Sequence, residues 1–363
     1  MTPAPLPCWQ DMAALRGPAP APDEIAQPWR RGTERAHWFS RSAHALARLV
    51  AWRAGSHPKP VLWLPDYFCN QSSQPARAAG ARVRFYPVRP DLSIDWPACR
   101  ELAKTTAPDL FVFVHFFGRP LDAAPAADFC RDAGAILIED AVHVAKPVGA
   151  IGTVGDFTFY SPHKVLAVPD GGLLLARTNV ADTASFVDPA STDAPPLAPW
   201  LAKRILQKIA PDALARLHVR LATPAFAEDP QGGAPSSMAA LSSAAARLIQ
   251  RSAARLTAIG AERRRNEQIL RESVARHPGA PLFSADWGDA VPYRFAFRAD
   301  NPEIAARLYH AWRRRGIPVE TWPDMALEVL GAAERHGGAI ALRRTVLLLP
   351  VHTPVDPARL RLD

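Results

Sequence analysis

From Ser40 onward the chain alternates short apolar runs with longer amphipathic stretches. Ser40 to Ala54 reads as a helix, with Ala43, Leu46, Leu49 and Val50 on one face and Ser40 or Ser42 as its cap. Val61–Leu64 then predicts a strand, Gln71–Ala79 a short helix, Val83–Val88 a strand and Trp96–Lys104 a helix. Leu110–Phe116 reads as a strand, Ala123–Ala133 as a helix and Ala135–Ile138 as a strand. Several of these strands are apolar at nearly every position, as strands buried on both faces of a parallel sheet must be. The fold class is α/β, with a mostly parallel central sheet covered by helices.

The texture changes after Gly155. Phe157, Phe159 and Leu173–Leu175 mark two strands joined by a loop with no crossover helix, and that loop holds Lys164. An Ala-rich region from Pro189 to about Gly260 reads as helical, with a break at Gln231–Pro235 and a long helix over Met238–Arg265. The remainder alternates strand (Tyr293–Arg298), helix (Glu303–Arg315), strand (Ile317–Thr321), helix (Ala326–His336) and strand (Thr345–Leu349), a compact α+β unit. The expected organisation is an N-terminal arm (1–37), a large domain (38–235), a linking helix (236–265) and a small C-terminal α+β domain (266–363).

Composition adds little. The 363 residues are 48% hydrophobic and 21% charged, which suits a soluble globular chain. The apolar run Leu110–Val114 stops at His115, far short of a membrane span, and the N-terminus lacks the features of a secretory signal. Four scattered cysteines, without CxxC spacing or nearby His pairs, suggest neither a metal site nor a disulfide framework, and a cytoplasmic location is expected. The net charge of +8 comes partly from Arg263–Arg265 and Arg313–Arg315, which fall in amphipathic helical patterns and predict solvated faces rather than nucleic-acid contact.

Chemistry concentrates between Ala135 and Ala176. Glu139-Asp140 ends an apolar strand, and Lys164 precedes an Asp170-Gly171-Gly172 turn. A lysine that can bond an aldehyde and a carboxylate that can hold a pyridine nitrogen protonated are the parts a pyridoxal phosphate site requires. Alone, each has a plainer reading: an exposed loop lysine, an aspartate capping a turn.

The order and spacing of His115-x-x-Gly118-x-Pro120, Glu139-Asp140-Ala141, Gly152-x-x-Gly155-Asp156, Lys164 and Asp170-Gly171-Gly172 resemble those of the DegT/DnrJ/EryC1/StrS family of pyridoxal phosphate sugar aminotransferases, of fold-type I. The likeness is clear over residues 38–178 and weaker at Pro292–Phe295, Arg315–Ile317 and Leu349–His352. It implies Lys164 as the cofactor-bonding lysine and proton carrier, and Asp140 as the partner of the pyridine nitrogen. It implies Ser42 and Ala43 at the phosphate, and His143 at the phenolic oxygen in place of the family's usual Gln.

The chain departs from the family at several points. Counting puts Cys69 where a ring-stacking aromatic belongs, so Phe68, or Tyr67, is expected to substitute. Phe159 occupies the place of a phosphate-binding serine, leaving Thr158 and Ser161 as candidates. His163 competes with Lys164 for the catalytic spot, since some relatives carry histidine there and act as dehydratases. Lys164 is preferred because only it can hold the cofactor covalently. Where the family reaches across a dimer interface with Asn or Arg before a Met, this chain has Pro235-Ser236-Ser237-Met238, a shortened arm.

His115, Trp322 and His352 are candidates for substrate contact, against core-packing readings. The resemblance thus implies a homodimeric transaminase that moves an amino group from an amino acid such as glutamate to a keto group of a nucleotide-linked sugar or related carbohydrate. A sugar dehydratase or lyase, and a degenerate cofactor-binding regulatory protein, are the alternatives.

Overall fold

The computed structural model describes residues 4–178, 180, 196–210, 226 and 238–361. Strands are numbered β1 to β10, and helices of eight or more residues α1 to α9. A seven-stranded sheet has the order β1-β7-β6-β5-β4-β2-β3. It comprises β1 (Arg35–Phe39), β2 (Val61–Pro65), β3 (Arg82–Tyr86), β4 (Leu110–Val114), β5 (Ile136–Ala141), β6 (Phe157–Tyr160) and β7 (Gly172–Ala176). The run β3-β2-β4-β5-β6 is parallel, and β7 is antiparallel to both of its neighbours.

The expected alternation is present. α1 (Ser42–Ala54), α2 (Asn70–Ala78), α3 (Trp96–Ala103) and α4 (Ala124–Ala133) fall between or before the strands they were read beside. β2, β4 and β7 are buried at every residue, as double-sided coverage requires. The β6–β7 pair lacks a crossover helix, so it is antiparallel and its connection is free to form a turn at the sheet's edge of chemistry.

The smaller unit is a three-stranded antiparallel sheet in the order β10-β9-β8, made of β8 (Gly279–Pro281), β9 (Arg294–Ala299) and β10 (Val346–Pro350). α8 (Pro302–Arg314) and α9 (Ala333–Thr345) pack on it, and Phe295, Phe297, Leu308, Trp312, Leu347 and Leu349 share its core.

Several expectations are corrected. The N-terminal segment is not a plain extended arm: it carries short helices at Trp9–Ala13 and Pro22–Ala26 and supplies β1, which pairs with β7. α1 is capped at Arg41 without a side-chain bond, so neither Ser40 nor Ser42 caps it. The long linking helix is two helices, α6 (Ser243–Ala253) and α7 (Leu256–Val274), separated at Ala254–Arg255. α5 (Leu197–Ile209) precedes them. Ile317–Thr321 makes only a bridge, Glu320 to Leu348, because its Val319–Ile317 backbone bond turns it away from extended pairing. Gln231–Pro235 and Ser236-Ser237 lie outside the described residues.

Candidate functional site

β5 and β6 run parallel with Asp140 opposite Phe159, so Asp140 and the segment that follows β6 emerge at the same sheet end. After β6 the chain makes one turn of helix, Pro162–Val165, which projects Lys164 back toward β5. Asp140, Lys164, His143, Ser42, Ala43, Phe68 and Trp322 all line one cavity of about 630 Å³.

Asp140 is buried, and its Oδ1 accepts the Val142 amide at 3.0 Å. Burial pushes its carboxyl up to about 6, against the pull of the Lys164 ammonium. A cationic ring nitrogen beside it would restore the ionised form.

His143 is held on three sides. Its ring stacks on Tyr293 at 4.3 Å between centroids and, more distantly, on Phe117 at 5.9 Å. The Phe117 amide donates to its Nδ1 at 3.3 Å, and its Nε2 lies 3.4 Å from Lys164 Nζ. An accepting Nδ1 places the ring proton on Nε2, toward the cavity. Burial, then the positive charges of Lys164 and Arg294, keep the imidazole neutral by holding it well below its ordinary value. Phe117 reaches this geometry with φ of +57°, a left-handed conformation that costs a non-glycine residue energy and is found where a site over-determines it.

The start of α1, Ser42 and Ala43, also lines the cavity, and its first-turn amides are uncapped by any side chain. Ser42 Oγ donates to Ser161 Oγ at 3.5 Å. β7 presses directly on this end: a Cβ at Gly172 would sit 2.3 Å from the Ser42 nitrogen, so only glycine allows the approach. Asp170 fixes the turn, accepting Ser242's amide at 2.9 Å and its hydroxyl at 2.6 Å. Two buried hydroxyls and uncapped amides suit a phosphate, the buried Asp140 suits a pyridinium nitrogen, and Lys164 suits an aldehyde carbon. The residues present therefore fit pyridoxal phosphate.

Some candidates stand elsewhere. Thr158 occupies the other face of β6, opposite Glu139 and near Gly152, because side chains alternate along a strand and Phe159 takes the cavity side. His115 is fully buried off the cavity: its Nε2 donates to Glu139 Oε2 at 2.9 Å while its Nδ1 accepts the Leu121 amide at 3.2 Å. His352 follows β10 and is not among the lining residues. His163 turns to the Gly171 carbonyl at 2.9 Å and the Ser161 hydroxyl at 3.0 Å, and burial lowers it to about 3. Of the two competing residues, Lys164 is the one that lines the cavity.

The residue that sequence reasoning left without a role is Glu139. Its carboxylate accepts the amides of Gly152, Val154 and Gly155 at 2.7, 3.1 and 2.7 Å in addition to His115. Burial pushes it up, but these donors together hold it below the ordinary carboxylate value. The signal was the Gly152-x-x-Gly155 spacing, since a Cβ at Gly155 would lie 2.9 Å from Glu139 Cγ. Arg313 and Arg343, also on the cavity, belonged to no motif.

Residues 56–186 match the model of the DegT/DnrJ/EryC1/StrS aminotransferase family. A dTDP-4-dehydro-2,3,6-trideoxy-D-glucose 4-aminotransferase of Saccharopolyspora spinosa is 34% identical over 145 residues, 38% of this chain and 37% of that protein. A pleiotropic regulatory protein of Geobacillus stearothermophilus is 31% identical over 27% of this chain and 28% of its own length. The aligned stretches thus span well under half of these relatives. The fold extends further: the aminotransferase TlmJ from Streptoalloteichus hindustanus superimposes with a TM-score of 0.68, covering 99% of this chain and 96% of that one at 20% identity.

Proposed function

We propose that this chain, whose residues 56–186 match the model of the DegT/DnrJ/EryC1/StrS aminotransferase family, is a pyridoxal phosphate-dependent sugar aminotransferase, taking an amino group from an amino acid such as glutamate and delivering it to a keto group of a nucleotide-linked sugar or related carbohydrate. The observation that carries this reading is the convergence of Lys164 and Asp140 on one cavity that the uncapped start of α1 also lines.

When bound, pyridoxal phosphate supplies an aldehyde that exchanges amino groups and a ring that accepts electrons. Lys164 Nζ would hold the aldehyde carbon and, as a free amine, would carry a proton to and from the substrate carbon. Asp140 would keep the ring nitrogen protonated. His143 offers its Nε2–H to the cavity as a fixed donor, and Ser42 and Ser161 receive the phosphate together with the first amides of α1. Phe68 and Trp322 wall the cavity and exclude water.

The deciding experiment is cofactor loading followed by a half-reaction. Purified protein with pyridoxal phosphate should show the near-visible absorbance of a lysine-bonded cofactor, and borohydride reduction should fix the added mass on Lys164. Glutamate should then bleach the band and yield 2-oxoglutarate. A Lys164→Ala variant that keeps the band, or a wild type that never acquires it, defeats the proposal. A cofactor band with no 2-oxoglutarate points instead to a dehydratase or a regulatory relative.

A further inference from the structure

The segment that leaves β2, Asp66 to Arg77, is gripped along its length by the small domain. The Asp66 carboxylate accepts the Val88 amide on Oδ1 at 3.0 Å and His336 Nδ1 on Oδ2 at 2.9 Å. The Tyr67 ring stacks on Trp322 with 4.3 Å between centroids. Asp324 accepts the Gln71 amide at 3.1 Å, and Arg77 pairs with Glu328 at 2.8 Å. His336 reaches Asp66 from a kink in α9, where its φ of −113° and ψ of 18° leave the helical range. A Cβ at Gly338 would lie 3.0 Å from the Val88 carbonyl oxygen, so the same turn of α9 sits directly on the chain that leaves β3. These contacts are not of equal weight. The Arg77–Glu328 pair is open to solvent and worth little, whereas Asp66 and His336 are 1% and 5% exposed, and loss of either strands the other without water.

The residues between these contacts line the cavity: Phe68, Cys69 and Ser72 from the gripped segment, Trp322 and Pro323 from the segment that grips it. We propose that His336, acting through Asp66, is a positioning residue for the reaction: their hydrogen bond fixes how the Phe68–Cys69 wall stands relative to Trp322, and with it the gap that receives the molecule exchanging its amino group at Lys164. This role rests on the aminotransferase reading. A gap held at one width keeps the substrate's reacting carbon in reach of Lys164, whose own position, like that of Asp140, is set within the large domain.

Alkylation of Cys69 by iodoacetamide reads the grip without cofactor or substrate. Burial first, and the Asp324 carboxylate second, push this thiol up, so it reacts slowly while the wall is held. Cys99 and Cys130, 0% and 3% exposed in the large domain's core, report unfolding of the whole. Peptide mass spectrometry should find Cys69 alkylated at least tenfold faster in H336L than in wild type, with Cys99 and Cys130 unchanged. H336N, whose amide N–H takes the place of Nδ1–H, should return close to the wild-type rate. In the cofactor-loaded protein, H336L should raise the glutamate concentration at half-maximal rate of the half-reaction about tenfold and lower the limiting rate much less, and H336N should restore it. Should H336L not fold, H336Q, whose amide lies one carbon beyond the place of Nδ1, takes its part. A Cys69 rate that does not change, or that rises in step with Cys99 and Cys130, overturns the proposal, and so does an unchanged half-saturating glutamate concentration. A wild type with no half-reaction defeats the aminotransferase reading instead, and the alkylation rates then decide by themselves whether His336 holds this wall.

Discussion

His143 Nε2 lies 3.4 Å from Lys164 Nζ, and the Phe117 amide at its Nδ1 determines which nitrogen carries the proton. A donor so aimed can serve the cofactor's phenolic oxygen only while the ring stays neutral and fixed. His143→Phe preserves the stacked ring between Tyr293 and Phe117 but removes the donor. It should keep the fold and the attached cofactor, shift the cofactor's absorbance and lower kcat by about 10²-fold. His143→Gln, which restores an N–H donor, should recover most of that loss. Steady-state kinetics with an absorbance spectrum of each variant checks both.

Asp140 supplies a pH signature. In the cofactor-free protein its carboxyl titrates near 6 rather than at the ordinary value near 4, so the folded state binds a proton that the unfolded chain releases. The stability tied to that proton is present in full below about pH 4 and is lost as the pH rises through 6, an effect of about 3 kcal/mol. Cofactor-free wild type should therefore lose stability relative to Asp140→Asn between those limits, as followed by urea melts across the range. Added cofactor should reverse the ranking, because its ring nitrogen stabilises the carboxylate that Asn lacks.

Glu139→Ala should be among the most damaging changes outside the cavity. It leaves His115 and three loop amides without their acceptor, with a cost of about 3–5 kcal/mol. Because the carboxyl is held below its ordinary value, its contribution is present above the unfolded pKa near 4 and is lost as the pH falls through the lower folded value. Chemical denaturation of wild type and variant at pH 7 and pH 3 checks the size and its disappearance in acid.

Gly172→Ala tests how closely β7 must approach α1. The added methyl carbon would meet the Ser42 nitrogen at 2.3 Å and the Arg41 carbonyl carbon at 2.5 Å, both backbone atoms that cannot swing aside. The variant should weaken pyridoxal phosphate binding by at least tenfold, measured by equilibrium titration of absorbance. Ala at the open Gly149 should not.

The sheet was legible because β2, β4, β5 and β7 are buried on both faces and leave continuous apolar runs. Asp140 was legible because it closes the apolar run of β5, and Lys164 because it falls between β6 and the Asp170-Gly171-Gly172 turn. β1 was not, since Arg35-Ala36-His37 begins half-exposed and its partner β7 lies over a hundred residues away, a pairing no local pattern encodes. Thr158 failed as a phosphate candidate for a simple reason of register: a one-residue shift along β6 exchanges the cavity face for the Glu139 face. Arg313 was read with Arg314 and Arg315 as a solvated helix face, but it is buried on α8 and lines the cavity, as does Arg343 of α9.

The pairing of β1 with β7 also limits how the chain can be divided. The stretch that carries the family likeness, residues 56–186, contains β7 but not β1. Cut out alone, it would present a fully apolar strand, Gly172-Leu-Leu-Leu-Ala176, with one row of backbone amides and carbonyls open to whatever strand came next. The N-terminal segment is thus the sheet's guard against self-association, and a fragment designed on the boundaries of the recognisable motif should precipitate, while one begun before Arg35 keeps its edge closed.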